Sequence, residues 1–253
     1  MKLVISDLDG TLEMNNNIGD ITVKLINEFT KENKFCIVTD STYNEIKLLV
    51  KNYNLDCDYY STFDGSYNIN NKEFINLINK DLINNFIETF EDSIYTSFNN
   101  EENSTIFKFQ ERLKAFYPKT YNIGKYISKD TKSYMVSFNV KNKIDVINYL
   151  KSNNLTYSIY GEDKNRVLLN ITSIKLTKEN SVSILKSVYK PDVTIGITDS
   201  FSDYPMLELC DIKIAMKNGD DELKEKVDYI TSLPAINDGA MLFINDICHL
   251  KKI

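Results

Sequence analysis

The sequence predicts an α/β protein: a doubly wound parallel sheet into which an α+β domain is inserted. Three observations carry that expectation. Short apolar runs alternate with helical patterns over residues 1–63. The alternation gives way over residues 64–173 to short strand-like runs separated by tight turns, and it resumes over residues 174–253. Strands alternating with helices build a parallel sheet through right-handed crossovers, whereas strands joined by short turns pair antiparallel.

In chain order, residues 3–5 form an apolar run that reads as a buried strand. Residues 22–32 carry Leu25, Ile26 and Phe29 on one helical face, and residues 35–39 make a second buried strand. A helix follows over 43–51, with Ile46, Leu49 and Val50 on its apolar side, then a short strand over 59–61. In the inserted segment, 66–69 and 73–75 read as a hairpin. Leu82, Ile83, Phe86, Ile87 and Phe90 mark an amphipathic helix. Residues 94–132 are polar and resist assignment, apart from a strand candidate over 106–109. Strands over 134–140, 155–160 and 167–171 with a helix over 144–150 complete a βαββ series, too large for a loop and therefore a domain of its own. The closing part has a helix over 178–189, strands over 192–198, 213–216 and 229–231, and a helix over 239–250.

Composition narrows the function classes. The net charge is −6, with the lysines dispersed among the acids, which argues against a nucleic-acid-binding surface. There is no leader-like segment at residue 1 and no apolar run long enough to span a membrane, so a cytoplasmic protein without a membrane partner is expected. The four cysteines form no Cys-x-x-Cys pair, and the single histidine, His249, leaves a histidine relay improbable. Acid-base chemistry falls to carboxylates.

Those carboxylates stand where an open α/β sheet places its chemistry, just past the carboxyl ends of strands. Asp7 and Asp9 follow the first strand, Thr39 ends the second, Asp199 and Asp203 follow the strand over 192–198, and Lys178 opens a helix. Taken singly, each has an ordinary reading. Asp9-Gly10 is a turn signal, Thr39 a strand end, Lys178 a solvated helix-start lysine, Asp203 an N-cap for the helix at Pro205, and Asp40 a solvated turn acid. Together they describe one centre. Clustered carboxylates ionise poorly without a cation, and oxygen-only ligands suit Mg²⁺. A hydroxyl and an ammonium opposite that cation suit a phosphoryl group, and aspartate is a known nucleophile toward phosphorus.

The chain resembles the phosphatases of the haloacid dehalogenase superfamily, in the Cof-like branch with a large α/β cap. Asp7-Leu-Asp9-Gly-Thr is similar to the first family motif and Thr39 to the second. Residues 169–178, LNITSIKLTK, resemble the strand and loop leading to the third-motif lysine, and residues 198–207, TDSFSDYPML, the fourth motif. Residues 214–218 and 227–231 fit the closing segments, while the cap matches only in layout. The resemblance implies a core of residues 1–63 and 174–253 with a cap over 64–173. It implies a Mg²⁺-dependent hydrolysis of a small phosphorylated metabolite, a sugar phosphate first. In that scheme Asp7 is the nucleophile and Asp9 the acid and base. Thr39 and Lys178 hold the phosphoryl oxygens, and Asp7, Asp9, Asp199 and Asp203 serve the metal. A phosphomutase using the same aspartyl-phosphate, and a non-catalytic binder on an inherited fold, are the alternatives.

The chain departs from the family pattern in four places. Asp40 and Ser41 stand where Gly-Arg is usual, which removes a cation near the phosphate entrance. Thr198 replaces a glycine, Ser202 an asparagine, and Asp64-Gly65-Ser66 an Asn-Gly-Ala.

Overall fold

The computed structural model describes residues 1–15, 17–99, 104–107, 121–123 and 126–250. The chain forms two compact units. One comprises Met1–Thr62, Tyr67–Glu73 and Leu176–Ile253, the other Phe63–Ser66 and Phe74–Lys175.

The first unit is built on an eight-stranded sheet. Its strands lie in the order Tyr229–Ile230, Ile212–Ala215, Val193–Thr198, Lys2–Ser6, Lys34–Thr39, Asp58–Ser61, Tyr67–Ile69 and Lys72–Phe74. The first six run parallel, as the alternation of the sequence predicts. Residues 3–5 and 35–38 are continuous apolar runs because helices cover both faces. Val4, Ile37, Ile195 and Ile214 pack on one side with Ile26, Ile46 and Ile244, while Leu3, Ile5, Val38 and Ala215 pack on the other with Val182, Leu185 and Met206. Lys2–Ser6 is flanked by Lys34–Thr39 on one side and Val193–Thr198 on the other, so chain order reverses across it. Ligands of doubly wound sheets bind at such a point.

The hairpin expected near residues 66–75 belongs to this sheet and not to the inserted series. Tyr67–Ile69 pairs antiparallel with Asp58–Ser61, Tyr67 stacks on Tyr60 at 4.6 Å, and Ile69 enters the core beside Val38. Its turn residues Asn70 and Asn71 both have positive φ, 52° and 58°, the backbone that tight hairpins require and that asparagine tolerates.

The second unit holds a six-stranded sheet in the order Tyr121–Ile123, Ser104–Phe107, Ile94–Asn99, Thr131–Asn139, Arg166–Thr172 and Thr156–Glu162. Its pairings are antiparallel except between Tyr121–Ile123 and Ser104–Phe107. The helices Lys80–Thr89 and Lys143–Ser152 supply Phe86, Ile87, Val146 and Leu150 to a core with Tyr134, Val136 and Phe138. The strand candidate over 106–109 is found at Ser104–Phe107, and its last two residues lie outside the described ones. None of the four cysteines is in a disulfide, and among the described residues no helix is long and apolar enough to cross a membrane.

Candidate active site

Every predicted site residue lies in the first unit, at the carboxyl ends of its parallel strands. The backbone leaves the sheet in step there. The Asp7 N–H donates to the Ile197 carbonyl at 3.0 Å, and the Thr62 N–H to the Thr39 carbonyl at 2.9 Å. Gly10 then turns the chain with φ 76°, a conformation that side chains rarely adopt. It also passes Asp199 closely, since a Cβ at Gly10 would fall 2.1 Å from an Asp199 carboxylate oxygen. The two motifs are thereby held against each other. Thr11, fully buried, donates to Asp199 at 3.4 Å, and Asn218 donates to the Gly10 carbonyl at 2.8 Å.

Lys178 is the charged centre of the site. It is the first residue of the helix Lys178–Tyr189, which Thr177 caps through the Asn180 N–H. A lysine there opposes the helix dipole, so its placement needs compensation. Carboxylates provide it: the ammonium lies 2.8 Å from Asp7 Oδ1, 2.8 Å from Asp203 Oδ2 and 3.5 Å from Asp40 Oδ2. Burial alone would lower its pKa, but Asp7, Asp203 and Asp40 raise it overall, and the ammonium stays charged. At Asp7 burial prevails over the charges instead. Burial pushes its carboxyl up to about 7, against the attraction of Lys178 and with the repulsion of Asp203. Burial, with Asp203 as a further repulsion, raises Asp199 as well.

The remaining predicted residues fall into two groups. Thr39 is buried at the end of its strand, its hydroxyl accepting the Ser41 N–H at 3.0 Å. Asp9 is exposed and accepts from the Ser41 hydroxyl at 3.3 Å, which ties the first strand's loop to the second's. Asp203 is not the side-chain cap of the Tyr204–Leu207 helix. Its Oδ2 is taken instead by Lys178 and by the Thr198 hydroxyl, 2.7 Å away. Asp40 is not a free surface acid either, since Thr62 donates to its Oδ1 at 2.5 Å while Oδ2 faces Lys178. The residue types alone do not single out Thr11, Thr198 or Asn218. Their signal is position: Thr198 ends a strand just before Asp199, Thr11 follows Asp9, and Asn218 follows the end of Ile212–Ala215.

The donors converging here are carboxylate and carbonyl oxygens, the set that suits a hard divalent cation. Burial is what raises Asp7 and Asp199, and a bound divalent ion would offset that cost. As they stand, no three acids among the described residues close into a metal-holding group, and Lys178 bridges Asp7 and Asp203 instead. The residues fit the ion by donor chemistry.

A family model of haloacid dehalogenase-like hydrolases matches residues 4–244. The chain belongs to that family. A search among curated proteins gave no match. Solved structures share the fold over nearly the whole length. A protein of Thermotoga maritima is 14% identical with a TM-score of 0.72, covering 96% of each chain. A haloacid dehalogenase-like hydrolase of Bacteroides thetaiotaomicron is 15% identical with a TM-score of 0.71, covering 97% of this chain and 99% of that one. A subclass IIB sugar phosphatase of the superfamily is 17% identical with a TM-score of 0.64, covering 98% and 99%. Identities this low speak for the fold, and the haloacid dehalogenase-like fold with its second unit is common to all three. Within that family framework, the departures at Asp40, Ser41 and Thr198 all contact the predicted site residues directly.

Proposed function

We propose that the chain is a Mg²⁺-dependent phosphomonoester hydrolase for a small phosphorylated metabolite, a sugar phosphate first. The observation that carries this reading is the Lys178 ammonium set between the buried carboxylates of Asp7 and Asp203, with Asp9 two residues from Asp7. Lys178 and the buried Thr39 hydroxyl would hold the equatorial phosphoryl oxygens. Asp7 would attack phosphorus and become the aspartyl-phosphate. Asp9 is exposed, which suits a group that must reach the leaving oxygen, protonate it, and then take a proton from water. Asp203 and Thr198 keep Lys178 oriented.

Asp7, the Asp9 carbonyl, Asp199 and Asp203 are the residues that would hold Mg²⁺. When bound, the ion supplies positive charge that keeps the buried carboxylates ionised and offsets the approach of an anionic phosphoryl group. A sugar phosphatase of the same fold favours sugar phosphates as the first substrates to try, and a small soluble ester needs neither a nucleic-acid surface nor a membrane.

The test is a panel of phosphorylated sugars, nucleotides and cofactors assayed for inorganic phosphate with Mg²⁺ and with a chelator. Phosphate release that the chelator stops is expected. Isomerisation of a sugar phosphate without release would favour a mutase, and binding without either outcome would leave a non-catalytic protein.

A further inference from the structure

One of the three carboxylates around Lys178 faces solvent. Of the three acids around its ammonium, the Asp7 and Asp203 side chains are 7% and 5% exposed, while that of Asp40 is 65% exposed. A phosphate ester reaching Lys178 from solvent therefore meets Asp40. This acid is built in. Thr62 spans the loop, its hydroxyl donating to Asp40 Oδ1 at 2.5 Å and lying 3.2 Å from the Thr39 carbonyl, which also accepts the Thr62 N–H. On the other flank the Ser61 hydroxyl donates to the Ser41 carbonyl at 2.5 Å, and the Ser41 N–H donates to Thr39. The turn is tied on both sides of Asp40, leaving Oδ2 directed at the ammonium. Asp7, Asp9, Asp199 and Asp203 already gather at this edge, and among the described residues Lys178 is the cation there, paired with Asp7 and Asp203. A further negative charge on the solvent side weakens the hold on any dianionic phosphate unless the bound molecule brings its own positive charge.

We propose that Asp40 is a specificity-determining residue that selects phosphomonoesters whose leaving group carries an ammonium close to the ester oxygen, and that it disfavours esters bearing a second anion there. The proposal rests on the hydrolase reading and names the substrate class of that site. Asp40 is solvent-screened, so its preference is of the size of an exposed ion pair, about two- to five-fold per unit of substrate charge.

Three esters of closely matched size test it: O-phosphoethanolamine, propyl phosphate and 2-phosphoglycolate, which place an ammonium, a methyl and a carboxylate at the same distance from phosphorus. The wild-type protein with Mg²⁺ is expected to rank them in that order by kcat/KM, and by Kd in calorimetry. Asp40→Asn keeps an acceptor for the Thr62 hydroxyl and is expected to compress the series, lowering the first ester and raising the third. Thr62→Val, which frees the Asp40 side chain, should compress it in part. A flat or reversed wild-type series, a series unchanged in Asp40→Asn, or no binding of any of the three overturns the proposal. Failure to release phosphate from any ester, p-nitrophenyl phosphate included, overturns the hydrolase reading instead, and the calorimetric ranking then still decides the role of Asp40.

Discussion

Two buried aspartates occupy opposite edges of the same parallel sheet, and the chain treats them differently. Asp7 lies just past the carboxyl end of the Lys2–Ser6 strand, while Asp58 is the first residue of Asp58–Ser61. Burial raises the pKa of both. Asp7 is answered by an ammonium and opposed by a second carboxylate, Asp203. Asp58 is answered by neutral donors, the Tyr189 hydroxyl and the Asn70 N–H at 2.8 Å, with the more distant attraction of Lys34. The first arrangement leaves charge to be redistributed when something binds. The second is closed, and it fastens the Tyr67–Ile69 hairpin and the Lys178–Tyr189 helix to the sheet. A buried carboxylate becomes a site through partners that are themselves charged and shared.

The same substitution at the two positions breaks that comparison most directly. Asp7→Asn is nearly isosteric but cannot attack phosphorus, so turnover should fall by roughly 10⁴-fold or more, the scale of nucleophile removal in other enzymes. Asp58→Asn should leave turnover within about two-fold, far below the 1.4 kcal/mol that a tenfold change in rate represents. Phosphate release by the two purified variants, with circular dichroism to verify folding, decides it. Wild-type-like activity in Asp7→Asn would end the covalent mechanism.

Lys178→Met comes next. Methionine keeps much of the stem volume but removes the charge that Asp7 and Asp203 share. Breaking a buried pair from one side costs about 3–5 kcal/mol, because the charges left behind stay buried. Urea unfolding should show a loss approaching that range together with loss of phosphate release. If stability is unchanged, the three charges are solvated and the site is more open than the 11% side-chain exposure of Lys178 implies.

The sequence made much of this legible, and for identifiable reasons. The strands at Lys2–Ser6 and Lys34–Thr39 are buried on both faces, so residues 3–5 and 35–38 are written as unbroken apolar runs, while Thr194 and Gly196 interrupt the equally buried Val193–Thr198. Asp7, Lys178 and Asp203 could be expected together because parallel strands put their carboxyl ends on one edge. The sequence places the hairpin over 66–69 and 73–75 in the inserted series, because local alternation reports a strand without reporting its partner. The stacking of Tyr67 on Tyr60 decides that partner. Asp203 has two readings in the sequence, a site acid and a cap for the helix at Pro205; it stands at the cap position, but its side chain goes to Lys178 and Thr198 and not to the helix. For Asp40, the contacts come from Thr62 and Lys178. Neither is a sequence neighbour, so no local pattern could report them.

The smallest expected effect concerns Asp58 alone and sharpens what a closed carboxylate is. An aspartate in an unfolded chain titrates near pH 3.9. Burial raises Asp58 above that value in the folded chain. Across the window between the two values the unfolded chain has released the proton while the folded chain still holds it. Stability must therefore fall as pH rises through the window, and this group adds no further slope above it. Asp58→Asn removes the titration. Its carbonyl oxygen can still accept the Asn70 N–H, and its amide can donate to the Tyr189 hydroxyl, which already lies 3.0 Å from the Asn70 carbonyl oxygen Oδ1. The variant and the wild type should therefore match at the acid end of the window, and the variant should gain on the wild type as pH rises. Urea unfolding of both proteins at closely spaced pH values, from the ordinary carboxylate range upward, measures that difference. A difference that shrinks with rising pH would mean that the Tyr189 and Asn70 hydrogen bonds outweigh burial. Asp58 would then be a net stabiliser in its charged form, and the contrast with Asp7 would rest on partner identity alone.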